Sequence, residues 1–318
     1  MKKLLKEISK LKVAVIGDVI LDRYIWGRAT RISPEAPVPI VDVEKDAWFA
    51  GGAANVAMDV AGLGASASLF GSTGSDEANA ALSNMLLDED IDFTRFPASQ
   101  NAPTVVKTRV AAQGQQMIRI DRNSAPQNYA PSVGYITAML DSIRAADAVI
   151  VSDYARGFLD DNILRSIIDS ARSYKKFVAV DPKPRRRLNF SGPNLITANR
   201  VEAFALAEMF DDSSSELPIR ALAESIYARY SPDFLVVTLG AEGMYVCRKA
   251  KPLKHIPTDA RDVFDPAGAG DAVTSALALA LAAGEDIERA AAFANTAAGV
   301  VVGKMGSMTV SAGEMLAY

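Results

Sequence analysis

A three-layer α/β fold, with a largely parallel central sheet between helices and a small β flap set apart from it, is predicted by three features. Short apolar runs, Lys12–Gly17, Val149–Asp153 and Phe177–Asp181, each end in glycine or aspartate, as strands buried on both faces do. Alanine-rich helical stretches open directly after glycines, at Gly51-Gly52 and Gly268-Ala269-Gly270. Two segments, near 22–48 and 103–121, alternate with period two and carry prolines that keep strands out of a central sheet.

In chain order, Met1–Lys10 reads as a short amphipathic helix and Lys12–Gly17 as a strand. Asp18 and Asp22 follow the strand's carboxyl end, where open α/β sheets bind ligands; two carboxylates there suit a polyol, or else serve as turn and cap residues. Tyr24, Trp26 and Ser33–Pro39 begin the flap, and Pro103–Val110 and Gln115–Asp121 supply its second half around Ala112-Gln-Gly-Gln115. Period two puts Lys107 with Arg109 and Arg119 with Asp121, charges that are either solvated or turned toward a charged substrate. Between the flap halves, Gly51-Gly52-Ala-Ala-Asn55 opens a helix whose small residues allow a ligand close to its N-terminus, with Asn55 offering donor and acceptor.

The strand Ala67–Gly71 and the helix Glu77–Asp88 continue the rhythm. Asp153 and Asp181 close the next two strands, a repeated strand-then-carboxylate pattern. Lys183 and Arg185-Arg-Arg187 offer cations to phosphates, although consecutive arginines also suit a solvated loop. Asn199 and Glu202 have the spacing of a helix cap and its capping-box acid. Thr238, Gly240 and Gly243 form a strand end and glycine turn on which a flat nucleotide could lie. Asp211–Ser215 reads as a surface loop. The alanine-rich helix Ala290–Gly303, with Asn295, either flanks an adenine or packs tightly against a neighbour.

The most informative stretch is Asp262–Asp271 with the helix that follows it. Gly268, Ala269 and Gly270 expose the unpaired amides and positive dipole end of a helix, so an anion can rest on the backbone. Asp271 beside such a hole would be repelled by a phosphate unless it accepts the proton of an attacking hydroxyl. The same glycines also suit tight packing alone.

Composition narrows the function further. Of 318 residues, 49% are hydrophobic and 23% charged, and the net charge of −4 argues against a nucleic-acid footprint. Cys247 is the only cysteine, which leaves no intramolecular disulfide or cysteine zinc cluster and fits a reduced cytoplasm. The N-terminus lacks a signal-peptide pattern, and the apolar run Ala276–Ala283 falls well short of the about 20 residues a bilayer span needs. His255, the lone histidine, lies in a loop beside a proline and reads as a surface residue.

Gly51-Gly-Ala-Ala-Asn55 and Asp265-Pro-Ala-Gly-Ala-Gly-Asp271, in this order, resemble the two signatures of the ribokinase-like (PfkB) sugar kinases, and the resemblance covers essentially the whole chain. Arg31–Pro39, Gln115–Asp121, Ser152-Asp-Tyr-Ala-Arg-Gly157 and Ala297–Gly303 look closest to the D-glycero-β-D-manno-heptose-7-phosphate kinases, which make the 1,7-bisphosphate for ADP-heptose and lipopolysaccharide core. The resemblance implies a single ribokinase-like domain, a Rossmann-type α/β/α sandwich with a β lid, that uses ATP and Mg²⁺. It implies Asp271 as base, Gly268–Gly270 as anion hole, and Asp18, Asp22, Gly52, Asn55 and Asp153 on the sugar side. Asn199 and Glu202 would match a magnesium and phosphate motif, with Glu202 acting through water. Thr238, Gly240, Gly243 and Asn295 would match nucleotide contacts. Lys107, Arg109, Arg119 and Lys183 are candidates for the sugar phosphate or for ATP.

Three positions depart from the heptose kinases: Ala267 where threonine is usual, Arg156 for lysine, and Ala198 for proline. The first leaves activation by a monovalent cation open, and an idle sugar sensor or another sugar kinase such as a fructokinase or ribokinase remains the alternative. Many heptose kinases carry a downstream nucleotidyltransferase domain, and this sequence ends at Tyr318 without one, so adenylylation is expected from another polypeptide. Exposed edges of the lid suit a homodimer.

Overall fold

A computed structural model describes residues 1–184, 188–211, 216–260, 264–304, 306 and 308–318, with Val133 described by its backbone alone. The Arg185–Arg187 cluster, Asp262 and most of the loop expected at Asp211–Ser215 therefore lie outside the described residues. The elements are α1 (Lys2–Ile8), β1 (Lys12–Gly17), β2 (Val19–Ile32), β3 (Pro39–Gly52), α2 (Ala53–Gly62), β4 (Ser66–Thr73), α3 (Glu77–Asp88), β5 (Asp92–Pro97), β6 (Val106–Ala112) and β7 (Gln115–Arg122). There follow α4 (Val133–Ala145), β8 (Ala148–Ser152), α5 (Asp161–Ser173), β9 (Phe177–Asp181), β10 (Leu195–Asn199), α6 (Arg200–Ala207), α7 (Ile219–Tyr230) and β11 (Phe234–Thr238). The chain closes with β12 (Met244–Arg248), β13 (Lys251–Ile256), α8 (Ala269–Ala282), α9 (Ile287–Val302) and α10 (Ala312–Ala317).

Among the described residues, nine strands form the main sheet in the order β13-β12-β11-β10-β9-β8-β1-β4-β5. Neighbouring strands from β5 through β11 in this order pair parallel, and β12 pairs antiparallel with both β11 and β13. The continuous apolar runs follow from burial on both faces. Val13 and Val15 of β1 pack into a core with α2, α8 and α9, while Ala14 and Ile16 pack into a second core with α4, α5, α6 and α7. Ala148 and Ile150 against Val149 and Val151 of β8 divide the same way. Strand order reverses at β1, which lies between β4 and β8, so the crevice beyond the carboxyl ends of β1 and β8 is where a ligand is expected. Gly17 permits that junction, since a Cβ there would sit 1.9 Å from the Ser152 carbonyl oxygen.

The second sheet, β3-β2-β6-β7, grows out of the main one, because only Asp18 separates β1 from β2. The prolines Pro34 and Pro37 fall in the turn between β2 and β3, and β7 is an exposed edge. His255 sits on edge strand β13, against the Tyr245 ring and the Glu242 carbonyl.

One buried carboxylate outside the crevice makes the fold pH-sensitive. Asp59 of α2 is fully buried, accepts only the Val310 amide through Oδ1, and leaves Oδ2 without a partner among the described residues. Burial pushes its pKa well above the ordinary value, with the Val310 amide opposing. The folded state thus holds a proton that the unfolded chain releases, so stability falls as pH rises from the ordinary carboxyl range to the folded value. Denaturation from pH 4.5 to 8 should show Asp59→Asn gaining on the wild type with rising pH, by at most about 1.4 kcal/mol per pH unit. A difference independent of pH would show that Asp59 does not titrate with folding.

Candidate active site

The crevice gathers strand ends and one helix mouth. Gly268 caps α8 in the left-handed region, φ 85°, which a residue with a Cβ adopts at a cost. This turn carries Asp271 into the protein, 5% exposed, where Asn55 Nδ2 donates to Oδ2 at 2.8 Å and the Tyr154 hydroxyl donates to Oδ1 at 2.8 Å. Burial raises the Asp271 pKa; the bonds from Asn55 and Tyr154 and the charge of Lys183 pull against it, and Asp22 adds to the rise. A carboxylate held above its ordinary pKa is the stronger proton acceptor once ionised. Burial and neighbouring Asp271 and Asp181 lift Tyr154 well above the usual phenol range, so it remains a donor.

A cavity of about 90 Å³ opens at this point, lined by Gly268, Gly270 and Asp271 of α8, by Tyr154, and by Lys183, Asn199, Glu202 and Thr238. Space lies open beside Gly270, where a Cβ would meet nothing within 4 Å, while the Ala269 amide is loosely taken by the Pro266 carbonyl at 3.3 Å. A bond of 2.8 Å between Thr274 and Thr197 fastens the first turns of α8 to β10. Lys183 pairs with Glu202, and although burial opposes its charge, Asp181 and Glu202 hold its pKa above the ordinary value. Asp181 itself is pushed well up by burial, with Lys183 opposing.

Asn199 and Glu202 form the reciprocal capping box of α6, with the Asn199 side chain accepting from Glu202 N and Glu202 Oε2 accepting from Asn199 N. Both Glu202 oxygens thus have protein partners, and among the described residues no group of three His, Cys, Asp or Glu side chains could hold a metal. That donor set fits a magnesium ion carried on nucleotide phosphates and reached through water, the usual habit of this ion, and not a cage of protein ligands.

On the other side of Asp271 lies the smaller sheet. Asp22, 6% exposed, accepts from Arg109 at 2.6 Å, and Arg109 also lies over the Tyr24 ring. Lys107 Nζ and Lys183 Nζ stand 4.9 and 5.1 Å from the centroid of the Tyr154 ring. Asn55 is buried with Oδ1 lacking a partner among the described residues, an unused acceptor on the side chain that bonds Asp271.

Several expected site residues have other employment. Asp18 accepts the amides of Tyr154, Arg156 and Phe158 at 2.8 to 3.0 Å, so it holds the loop after β8. Asp153 similarly accepts the amides of Ala155 and Lys183. Gly52 allows close approach to the Asp18 carbonyl, 2.5 Å from where its Cβ would stand. Gly243 packs on Ile256, whose carbonyl would meet a Cβ at 2.1 Å, and Asn295 donates to the Pro257 carbonyl at 2.7 Å. Gly240 faces open space, and Arg119 lies exposed on β7, paired with Asp121 at 2.9 Å. Tyr154 touches the carboxylate and both lysines, and the sequence marks it by nothing more than the Ser152–Gly157 run.

Known proteins share this arrangement of elements. The solved structure of Arabidopsis thaliana ribokinase complexed with ribose and ATP superposes with a TM-score of 0.76 at 21% identity, over 96% of this chain and 98% of that one. Phosphofructokinase-2 from Escherichia coli in complex with substrates and products gives 0.76 at 18% identity, over 96% and 97%. These likenesses establish a ribokinase-like fold. In sequence, the chain is 40% identical over 316 residues to the bifunctional protein HldE of Pseudomonas paraeruginosa and 41% over 317 residues to that of Vibrio atlanticus. Each match takes in 99% of this chain and 65% of the relative, so the chain spans about two thirds of the length of these relatives. The pfkB family carbohydrate kinase model matches residues 10–312, and the chain belongs to that family of phosphotransferases with an alcohol acceptor.

Proposed function

We propose that this sugar kinase transfers the γ-phosphoryl group of ATP to O1 of D-glycero-β-D-manno-heptose 7-phosphate, giving the 1,7-bisphosphate used for ADP-heptose and lipopolysaccharide core. The observation that carries the reading is the buried Asp271 carboxylate at the mouth of α8, held by Asn55 and Tyr154 beside a cavity with Lys183 on its wall. Asp271 would take the proton of the acceptor hydroxyl as the oxygen attacks. The amides at Gly268–Gly270 and the Lys183 ammonium would stabilise charge on the transferring group. A magnesium ion on the nucleotide would neutralise phosphate charge, with Glu202 and Asn199 oriented toward its water shell. Asn55 Oδ1 and Asp22 would orient the sugar, an arrangement worth on the order of 7–11 kcal/mol in the best cases. Closure of the smaller sheet would exclude water that otherwise hydrolyses ATP.

Steady-state assays across heptose 7-phosphate, fructose, ribose and fructose 6-phosphate test the substrate. Heptose 7-phosphate should give the highest kcat/KM; preference for an unphosphorylated sugar would replace this reading with a fructokinase- or ribokinase-like one, and binding without turnover would make the chain a sensor.

We further infer a homodimer through the smaller sheet, supported by β7, where Met117, Ile118 and Ile120 are 44%, 54% and 54% exposed. Light scattering should give about twice the 33.8 kDa chain mass, and Ile118→Lys with Ile120→Lys should return it to that of one chain. Use of ATP supports a cytoplasmic setting, and no helix among the described residues is long and apolar enough to cross a membrane.

A further inference from the structure

Asn55, which bonds the base through Nδ2, is itself incompletely partnered. Its Oδ1 is buried and has no donor among the described residues. Helix α2 carries a second atom of this kind one turn further on. Asp59 is fully buried, its Oδ1 accepts the Val310 amide at 3.0 Å, and its Oδ2 has no partner among the described residues. Residues four apart share a helix face, and helical side chains lean toward the N-terminus, so the Asp59 carboxyl reaches back over the turn that holds Asn55. Both side chains also meet the same neighbouring segment. A Cβ on Gly268 would stand 3.2 Å from Asn55 Nδ2 and 3.3 Å from the Met308 carbonyl, two residues before the amide that Asp59 binds.

Two buried acceptors cannot satisfy one another, but a single proton between them satisfies both. A carboxylate only accepts, whereas a carboxylic acid donates through its hydroxyl. Asp59 is the group that can carry this proton. Burial holds its pKa well above the ordinary value; the Val310 amide opposes, Asp271 of α8 adds to the rise, and Lys304 beyond α9 opposes it. Lys304 is engaged by the Thr309 carbonyl and by Glu314 of α10, each at 2.6 Å, and Asp22 of β2 acts on Asp271 itself.

From this geometry we propose that Asp59, as the neutral acid, is a positioning residue for the base: its Oδ2–H donates to Asn55 Oδ1, directly or across one buried water, and holds the amide with Nδ2 toward Asp271. Turned over, the amide would set Oδ1 against the Asp271 carboxylate, acceptor against acceptor. The second lone pair of Oδ1 stays available to a sugar hydroxyl. A neutral Asp59 also spares Asp271 a like charge. The proposal deepens the reading of Asp271 as base and rests on it.

The test compares the wild type with Asp59→Leu, which keeps the volume and removes the donor, and Asp59→Asn, which keeps a donor and cannot titrate. Asp59→Leu should lower kcat on the order of 10-fold, the size expected for weakening one hydrogen bond to a charged group, while KM for ATP stays within about twofold. The Asn55 bond lowers the Asp271 pKa, so loosening it should also move the acid limb of the kcat/KM profile to higher pH. Asp59→Asn, the conservative variant, should restore both quantities. A merely structural carboxyl would cost melting temperature in Asp59→Leu and leave kcat and the limb in place, which would overturn the proposal. So would a limb at lower pH in Asp59→Asn, because it would mean that the substitution had removed a negative charge. Difference infrared spectroscopy near neutral pH, wild type against Asp59→Asn, should show the carbonyl stretch of one protonated carboxylic acid. Its absence overturns the proposal even where Asp59→Leu does not fold. An Asp271→Asn enzyme with unchanged kcat removes the base and the positioning role together, whereas an unchanged Asp59→Leu enzyme removes the positioning role alone.

Discussion

Replacing Asp271 with asparagine should lower kcat by about 10²–10⁴-fold, the range for loss of a positioned general base, while leaving the binding of ATP and sugar nearly intact. The two outcomes separate because asparagine keeps the shape of the side chain and an oxygen for the Tyr154 hydroxyl. Its new amide can donate to Asn55, whose Oδ1 has no other partner among the described residues. What is lost is the basic oxygen. Calorimetric titration of each ligand, set beside kcat from ADP release, reads both quantities on one protein. An unchanged kcat would exclude Asp271 as the base, whereas lost binding would make it a structural residue of the crevice.

Tyr154→Phe should show how that base is tuned. The phenol donates to Asp271 Oδ1 and thereby favours the charged carboxylate. Removing the donor raises the Asp271 pKa further, so less of the enzyme carries an ionised base at a given pH. The acid limb of the kcat/KM profile must then move to higher pH. A freer carboxylate should also cost about 10-fold or more in kcat at neutral pH, the size expected for one hydrogen bond to a charged group. Phenylalanine keeps the ring under Lys107 and Lys183, so its effect is confined to the hydroxyl. A purely structural hydroxyl would lower stability and leave the limb in place; a limb moving to lower pH would contradict the tuning.

The central sheet was legible because burial on two faces demands the same residue types at every position. Val13 to Ile16 and Val149 to Val151 therefore stand out as continuous apolar runs. The mouth of α8 was legible for a similar reason, since a glycine with φ 85° and a carboxylate in the first turn leave a local mark. Contacts made across the crossovers left none. Asp18 is occupied by amides 136 to 140 positions away, and the Tyr154 hydroxyl reaches a carboxylate 117 positions away. Those pairings exist only once β8 lies beside β1. Glycine is ambiguous in a different way: Gly243 is required by the Ile256 carbonyl, and nothing in its neighbours distinguishes that need from room for a nucleotide. Likewise, four cations read alike along β6, β7 and the loop after β8: register puts both Asp22 and Asp121 opposite Lys107, yet the folded side chains give Asp22 to Arg109 and Asp121 to Arg119.

The most direct test is a crystal structure with a non-hydrolysable ATP analogue, magnesium and heptose 7-phosphate together. Asp271 should lie within about 3.2 Å of the sugar O1, in line with the terminal phosphate resting on the amides at Gly268–Gly270. A sugar hydroxyl held elsewhere, with the Asp271 carboxylate remote from both ligands, would contradict the assignment of this aspartate as the group that activates the acceptor.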